Sequence, residues 1–250
     1  MPHWRVTYTE VHQEANAALV RLSAEVFAHH PAELDDLYSR ILSAMLAQQP
    51  RTRPLHVALM TVLRLKQEAH AVRMLLGLGY PTQALALAAG MMEFAYDLLY
   101  IRDDDTRAGA WEAFEPLTYS LWRGTTIKQR MRDSLDALGL TGQELDDAVN
   151  DDYGLYGILC AAKHGHPSIQ KMTGGTVEGD TLIAGPHDYR HDDERRNAVF
   201  AMHAVFRASN LGILAVLEYH LTDPARTALS GPVAAFHKTA QNAVTALTDH

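Results

Sequence analysis

Apolar residues recur every three or four positions between Leu55 and Leu76, and this spacing places them on one face of an α-helix. The sequence Gly77-Leu78-Gly79-Tyr80-Pro81 then ends that helix, because glycine adopts left-handed conformations and proline favours the first turn of a new helix. A second and more apolar helix is expected at Pro81–Arg102. The sequence therefore predicts a tight helical hairpin.

The same spacing continues through most of the chain and predicts further helices. Pro116 and Gly124 are expected to kink or divide one of them, because proline removes a helical hydrogen bond and glycine weakens a helix. The pattern predicts an all-α fold, a multi-helix bundle of one domain over residues 1–250, with the helical hairpin buried at its centre. The further helices are expected at Thr9–Ala28, Ala32–Gln48, Thr106–Leu138, Gly142–Lys163, Asp192–Leu221 and Pro224–Leu247.

One stretch departs from the helical pattern, between residues 169 and 189. Glycine-containing pairs here bracket two short β-favouring pieces, Thr176-Val177 and Thr181-Leu182-Ile183. This order predicts a small β-hairpin or an ordered loop inserted into the bundle.

The composition fits a protein with a sizeable core, since 47% of the residues are hydrophobic and 21% are charged. The formal net charge of −8 argues against a broad nucleic-acid surface, because such surfaces are basic. The single cysteine, Cys160, allows no intrachain disulfide and suits a reducing compartment. We therefore expect a cytoplasmic location, and we expect no cofactor.

The most apolar segment, Ala84–Ile101, contains two acids, Glu93 and Asp97. Acids within an apolar segment argue against a membrane span, so we expect no membrane partner. The two carboxylates are four residues apart and lie on one helix face. A buried carboxylate is costly unless it is paired or protonated. The pair therefore predicts a complementary cation or a polar cavity, and either a structural ion pair or a ligand-binding or proton-transfer role fits it.

A polar cluster ends a later predicted helix, in the sequence Lys163-His164-Gly165-His166-Pro167-Ser168. Part of it is helix termination, because Gly165 suits a left-handed cap and the proline prevents continuation. His166 is expected either to hold the loop by a structural hydrogen bond or to turn back toward the two acids and transfer protons near neutral pH. With Asp97, the expected ligand-binding residues are Lys163, His164 and Ser168.

Three sequence segments carry a resemblance to a known family. They are Gly79-Tyr80-Pro81-Thr82-Gln83-Ala84-Leu85-Ala86-Leu87 leading to Glu93, then Asp97-Leu98-Leu99-Tyr100-Ile101, and then Lys163–Ser168. Over Leu55–Tyr189 the chain resembles the bacterial family called domain of unknown function 5677. The resemblance implies a glycine-turn hairpin, an arginine-and-glutamate helix and a histidine-proline motif that closes a later helix, and it implies no particular activity. Ala89 stands where the arginine is expected, so Glu93 needs another partner.

His187 and His191 form a second histidine group, four residues apart among several acids. Together with His164 and His166 they offer enough ligands for zinc or another divalent metal. The acids at residues 192–194 equally suit the start of a helix. The leading expectation is that no metal binds, with His187 and His191 as the residues for the metal alternative.

Arg196-Asn197 followed by His203 resembles the motif of the HEPN ribonuclease superfamily, in which an arginine precedes a histidine by a short gap. The resemblance implies a metal-independent ribonuclease or toxin. His203 would transfer the proton for attack by a ribose hydroxyl, and Arg196 would stabilise charge on the phosphate. Only this alternative predicts a nucleic-acid partner.

The leading interpretation is a polar pocket for a small polar or anionic ligand, with proton-transfer chemistry as a further expectation. The expected catalytic residues are Glu93 and His166. Besides the ribonuclease, the remaining alternative is a non-catalytic interaction protein in which all these groups are structural. Aromatic residues at helical spacing fit a core, a pocket lining or a homodimer face, namely Trp111, Phe114, Tyr119 and Trp122.

Overall fold

The computed structural model describes residues 13–18, 20, 30–114, 121–122, 124–166, 176–178, 181–183 and 192–248. Over these residues the chain is an all-α multi-helix bundle, as the sequence predicts. The helices are α1 (His30–Leu46), α2 (Arg53–Gly77), α3 (Pro81–Ile101), α4 (Asp105–Glu112), α5 (Ile127–Ala137), α6 (Gly142–Lys163), α7 (Asp192–Tyr219) and α8 (Asp223–Thr248), and the strands are β1 (Thr176–Glu178) and β2 (Thr181–Ile183).

Left-handed glycines close three of the described helices. Gly79, Gly139 and Gly165 have φ angles of 81°, 94° and 63°, and they follow α2, α5 and α6. At the end of α6, the N–H of Gly165 donates to the carbonyl of Ala162 at 3.2 Å, and the next N–H donates to the carbonyl of Ala161 at 2.8 Å. This pair of bonds satisfies carbonyls that the helix itself leaves without donors. The expected helical hairpin is therefore confirmed, because α3 begins at the second residue after Gly79.

The helix expected at Thr106–Leu138 is divided into α4 and α5. Helix α4 begins after Asp104, whose carboxylate accepts the backbone N–H groups of the next turn. Helix α5 begins at a capping box between Thr126 and Gln129. Gly124 has a φ of 81°, whereas the expectation for Pro116 lies outside the described residues.

The predicted β-hairpin or loop region contains the two short strands, which pair antiparallel with Val177 opposite Leu182. The predicted N-terminal helix at Thr9–Ala28 lies mostly outside the described residues, although residues 13–18 are helical.

Helix α3 lies at the centre of the bundle, where it packs most extensively on α7 and also on α2, α6 and α5. Met91, Met92, Leu98 and Leu99 are completely buried. Among the described residues, Pro81–Ile101 and Arg195–Tyr219 are the two helices long and apolar enough to cross a membrane, and most of each is buried inside the bundle. The apolar composition of these two helices fits their position, because a helix surrounded by other helices buries most of its sides.

A buried ion pair joins the three central helices α3, α6 and α7. Arg207 of α7 donates to both carboxylate oxygens of Asp152 of α6, from Nε to Oδ1 at 2.8 Å and from Nη2 to Oδ2 at 2.8 Å. Tyr96 of α3 donates its hydroxyl to Oδ2 of the same carboxylate. Burial and the charge of Asp152 raise the pKa of Tyr96, so the phenol keeps its proton. Burial lowers the pKa of Arg207, but the hydrogen bonds and charge of Asp152, together with Tyr96, outweigh that effect and raise it.

Removal of one partner of this ion pair is expected to destabilise the bundle. The Asp152 side chain is only 6% exposed, so Asp152→Ala leaves the guanidinium largely buried and uncompensated, at a cost of about 3–5 kcal/mol in the free energy of unfolding. The double variant Asp152→Leu/Arg207→Met removes both charges and is expected to recover most of that loss. Urea unfolding followed by circular dichroism measures both. A loss of less than about 1 kcal/mol in Asp152→Ala would show that the pair is not an anchor.

Candidate functional site

Glu93 is held by two side chains of α6. Its Oε1 accepts the hydroxyl of Tyr156 at 2.7 Å and the ammonium of Lys163 at 2.8 Å. Tyr156 and Lys163 lie two turns apart on one face of α6 and therefore both reach α3. The expected cation for Glu93 is thus Lys163 at the end of α6. The contact is open to solvent, because the side chains of Glu93 and Lys163 are 30% and 37% exposed.

Asp97 lies one turn further along α3 and has different partners. Its Oδ1 accepts the indole N–H of Trp122 at 2.8 Å and lies 3.3 Å from Nε of Arg130 on α5. The Asp97 and Arg130 side chains are 16% and 12% exposed. Burial raises the pKa of Asp97 to about 6, even though Arg130 and Trp122 favour the ionised form, and the nearby charge of Glu93 raises it further. Asp97 therefore exchanges its proton close to neutral pH.

Each of the two acids uses a single oxygen for these contacts. Within the described part of the chain, no group donates to Oε2 of Glu93 or to Oδ2 of Asp97. Nε of Arg130 is buried and donates to no acceptor among the described residues, and Nη1 makes one long bond of 3.5 Å to the carbonyl of Thr125. We call the group formed by Glu93, Asp97, Trp122, Arg130, Tyr156 and Lys163 the Glu93–Asp97 corner.

The other residues predicted for this site lie around the end of α6. His164 caps the helix and is exposed, and His166 is exposed and uses its backbone N–H in the helix-closing turn. The group beside Glu93 that is shown to carry a proton is the hydroxyl of Tyr156. Burial and contacts with Cys160 and Glu93 raise its pKa, so it stays protonated at neutral pH. The expectation for Ser168 lies outside the described residues.

Arg130 and Tyr156 are members of the corner that the sequence did not indicate. Tyr156 had a usable signal, because it lies seven residues before Lys163 and shares its helix face. Trp122 was expected to lie in a core, a pocket lining or a homodimer face, and it packs edge-on against Tyr100 with ring centroids 5.1 Å apart. Arg130 is near Asp97 only because α5 packs on α3, and no local pattern predicts that contact.

The residues of the ribonuclease alternative differ in burial. Arg196 is exposed and His203 is half-buried, whereas the Asn197 side chain is buried with its Nδ2 unpaired among the described residues. Asn197 therefore faces the core and not the surface that carries Arg196. Burial lowers the pKa of His203, and this effect outweighs the opposing charge of Asp152. The imidazole is therefore neutral at neutral pH.

Metal ligation finds no support in the part of the chain that the structure describes. Within it, no group of three or more histidine, cysteine, aspartate or glutamate residues is arranged to hold a metal ion. His187 and His191 lie outside the described residues, so the metal alternative stays a prediction for them.

No known protein family, curated protein or solved structure matches this chain. The resemblances to domain of unknown function 5677 and to the HEPN superfamily therefore stay predictions, and the chemistry of the site has to be argued from its own residues.

Glu93 and Arg130 are expected to shift the raised pKa of Asp97 in opposite directions. In the native protein the carboxyl is expected to titrate at a pH of about 6. Glu93→Gln removes a nearby negative charge and should lower that pKa, whereas Arg130→Gln removes a positive charge and should raise it. Carbon NMR of the side-chain carboxyl measures all three values. Titration near the ordinary value of 3.8 in the native protein would contradict the expectation.

The same shift predicts a dependence of stability on pH. The folded protein holds this proton more tightly than the unfolded chain, so the contribution of Asp97 is most favourable below its ordinary pKa of 3.8 and is lost as the pH rises to about 6. The loss is at most about 3 kcal/mol, from a shift of about two pKa units. Asp97→Asn should lack this slope between pH 4 and 6. The difference between wild type and variant in urea unfolding isolates it.

Proposed function

We propose that this protein binds a small polar ligand at the Glu93–Asp97 corner and that Asp97 transfers a proton to or from that ligand. The observation that carries the proposal is the incomplete pairing of the two acids. Each carboxylate keeps one oxygen without a donor from the described residues, in a group that solvent reaches through Glu93 and Lys163. These oxygens are therefore free to accept donors from a molecule that reaches the corner.

The contrast with Asp152 supports a binding role. Asp152 has Arg207 on both oxygens and Tyr96 on one, so its hydrogen-bonding capacity is largely used. A purely structural ion pair is expected to look like this. Asp97 has a cation nearby, but Nε of Arg130 is 3.3 Å away and makes no hydrogen bond to any acceptor among the described residues. The Asp97–Arg130 pair therefore uses less of its hydrogen-bonding capacity within the protein than the Asp152–Arg207 pair does.

Proton transfer at Asp97 follows from its pKa of about 6. A general acid or base works best when its pKa lies near the working pH, because both protonation states are then available. The expectation from the sequence placed this role on Glu93 and His166. We propose Asp97 for this role instead, because Oε1 of Glu93 already accepts both Tyr156 and Lys163.

Native mass spectrometry of the purified protein tests this function. Wild type is expected to carry a small molecule that is released on denaturation, and Glu93→Gln and Asp97→Asn are expected to lose it while keeping a cooperative melt. Asp136→Asn, at an exposed acid of α5, is the matched control and should retain it. Bare polypeptide in every sample would contradict the proposal, as would retention of the molecule in both site variants. A bare mass with a stable macromolecular partner would favour the interaction-protein alternative.

A metal-independent ribonuclease is the second candidate, and the state of His203 favours it. The half-buried imidazole is kept neutral and makes no hydrogen bond to another described residue. A neutral imidazole accepts the proton from an attacking ribose hydroxyl. Arg196, two turns earlier, lies on the same face of α7 by helical spacing. The net charge of −8 opposes binding of RNA, so this candidate ranks second.

The ribonuclease candidate predicts cleavage of single-stranded RNA in the presence of a metal chelator. His203→Ala is expected to abolish cleavage, because the proton acceptor is removed. His70→Ala changes an exposed histidine of α2 and should leave the rate unchanged. Gel analysis of a labelled oligonucleotide measures the rates. An equal rate in His203→Ala and wild type would exclude this site.

A further inference from the structure

We infer that the outer face of α2 binds a second copy of this chain, as an antiparallel pair of α2 helices related by a two-fold axis. The outer face is defined by six residues on the exposed side of the helix, namely Met60, Leu63, Gln67, His70, Met74 and Leu78. This contact is separate from the Glu93–Asp97 corner, whose two acids lie on α3.

Helix α2 is apolar on two opposite sides. Its inner side packs on α1, α3, α4 and α7 through a buried stripe that runs from Leu55 to Leu76. A helix with one buried side is normally polar on the other. On the outer face, however, four large apolar side chains are between 39% and 56% exposed, namely Met60, Leu63, Met74 and Leu78. Apolar side chains grouped on one exposed face are typical of a protein–protein contact.

The outer face has the spacing of a coiled-coil contact. Met60, Leu63, Gln67, His70 and Met74 follow one another at intervals that alternate between three and four residues. This alternation keeps one stripe of a helix against a second helix along its whole length. The stripe therefore suits a helix as its partner.

An antiparallel pairing matches this face with itself. When Leu63 lies opposite the partner's Met74, the same register places Gln67 opposite the partner's His70, and the two-fold axis makes each contact twice. Apolar side chains then meet apolar ones, while the amide and the imidazole offer each other donors and acceptors. A parallel pairing would place each residue opposite its own copy, so that imidazole met imidazole. The order of residues therefore favours the antiparallel pair.

The charges beside the outer face also suit a second copy. Three cations that border it are paired with acids of the same chain, namely Arg53 with Glu112, Arg64 with Glu68 and Lys66 with Asp35. A strongly acidic or strongly basic partner finds little surplus of the opposite charge on such a surface. A copy of the same nearly balanced surface needs none.

Arg73 carries the remaining charge at this face. It is exposed and has no acid within ion-pair distance among the described residues. It lies two turns after Lys66 on the same edge of the face, and this edge meets its own copy, reversed in direction, in the antiparallel pair. Arg73 therefore comes beside the partner's Lys66 and within reach of the partner's Asp35. The carboxylate of Asp35 is 61% exposed and lies 3.4 Å from its own lysine, so it can accept a second cation.

The area of the face sets the expected affinity. Helix α2 has 25 residues, so the face is about 37 Å long and about 10 Å wide. This is less than the roughly 800 Å² per partner of a standard stable interface. The dimer is therefore expected to form reversibly, with a Kd in the micromolar range.

Sedimentation velocity of the full chain tests the contact. Wild type is expected to pass from monomer to dimer as its concentration rises from about 1 µM to about 1 mM. Leu63→Glu places a charge in the centre of the contact and should stay monomeric over this range. Tyr153→Glu is the matched control on α6, where the tyrosine is 43% exposed, and it should dimerise like wild type.

Two charge-reversal variants test the register. Arg73→Glu and Asp35→Lys each bring like charges together at both ends of the dimer, so each alone should dimerise at least about tenfold more weakly than wild type. An equal mixture of the two variants restores opposite charges at both ends and should dimerise nearly as well as wild type. A folding defect in either variant cannot produce this recovery.

A wild-type chain that is monomeric at every concentration would overturn the inference, including one that uses this face for a different protein. Dimers that Leu63→Glu leaves unchanged would also overturn it, because another surface would then form the contact. Failure of the mixed variants to dimerise better than either alone would overturn the antiparallel register on which the inference depends. None of these results bears on the ligand of the Glu93–Asp97 corner.

Discussion

The bidentate contact between Asp152 and Arg207 fixes the relation of α3, α6 and α7, whose remaining contacts are mostly apolar. Apolar side chains tolerate small changes in the relative position of helices. A buried carboxylate and guanidinium, in contrast, form their two hydrogen bonds in one relative orientation only. Tyr96 brings α3 into this arrangement. Because Tyr96 lies three residues after Glu93 and next to Asp97, its position sets the direction in which both acids leave α3.

The bundle therefore contains two kinds of carboxylate. Asp152 is buried and fully engaged, and it acts as a structural contact between helices. Glu93 and Asp97 are partly exposed, and each uses one oxygen. A shift of pKa toward neutral values is tolerated only where a favourable alternative, such as a protonated state or a ligand, is available. The two partly exposed acids lie on the α3 face that meets α5 and α6, beside the buried centre but not within it.

Much of the fold could be predicted from local patterns. The apolar spacing gave the helices, and the Gly79–Pro81 turn gave the central hairpin. Acids in an apolar helix gave the need for a cation, and Lys163 at the end of α6 is that cation for Glu93. Ala89 stands where an arginine was expected, which also indicated that the partner of Glu93 had to come from another helix. Ala89 itself is completely buried in the bundle.

What could not be predicted depends on contacts between distant residues. Asp152 and Arg207 are 55 residues apart, and Asp97 and Trp122 are 25 apart. No periodicity within one helix reports which charged residue of another helix it will face. The sequence marked Asp97 as polar in an apolar setting but could not show that burial would outweigh Arg130 in setting its pKa.

The turn after α6 determines which substitutions the helix end at Lys163 tolerates. Lys163 is the last residue of its helix, and the end of a helix opens at a lower free energy than its middle. Gly165, with a φ of 63°, holds that end closed, and any residue with a Cβ would adopt this conformation at a cost of about 1 kcal/mol. Replacement of Gly165 would therefore loosen the helix end that carries the ammonium of Lys163. A residue with no side chain in this way helps to keep a charged group in place.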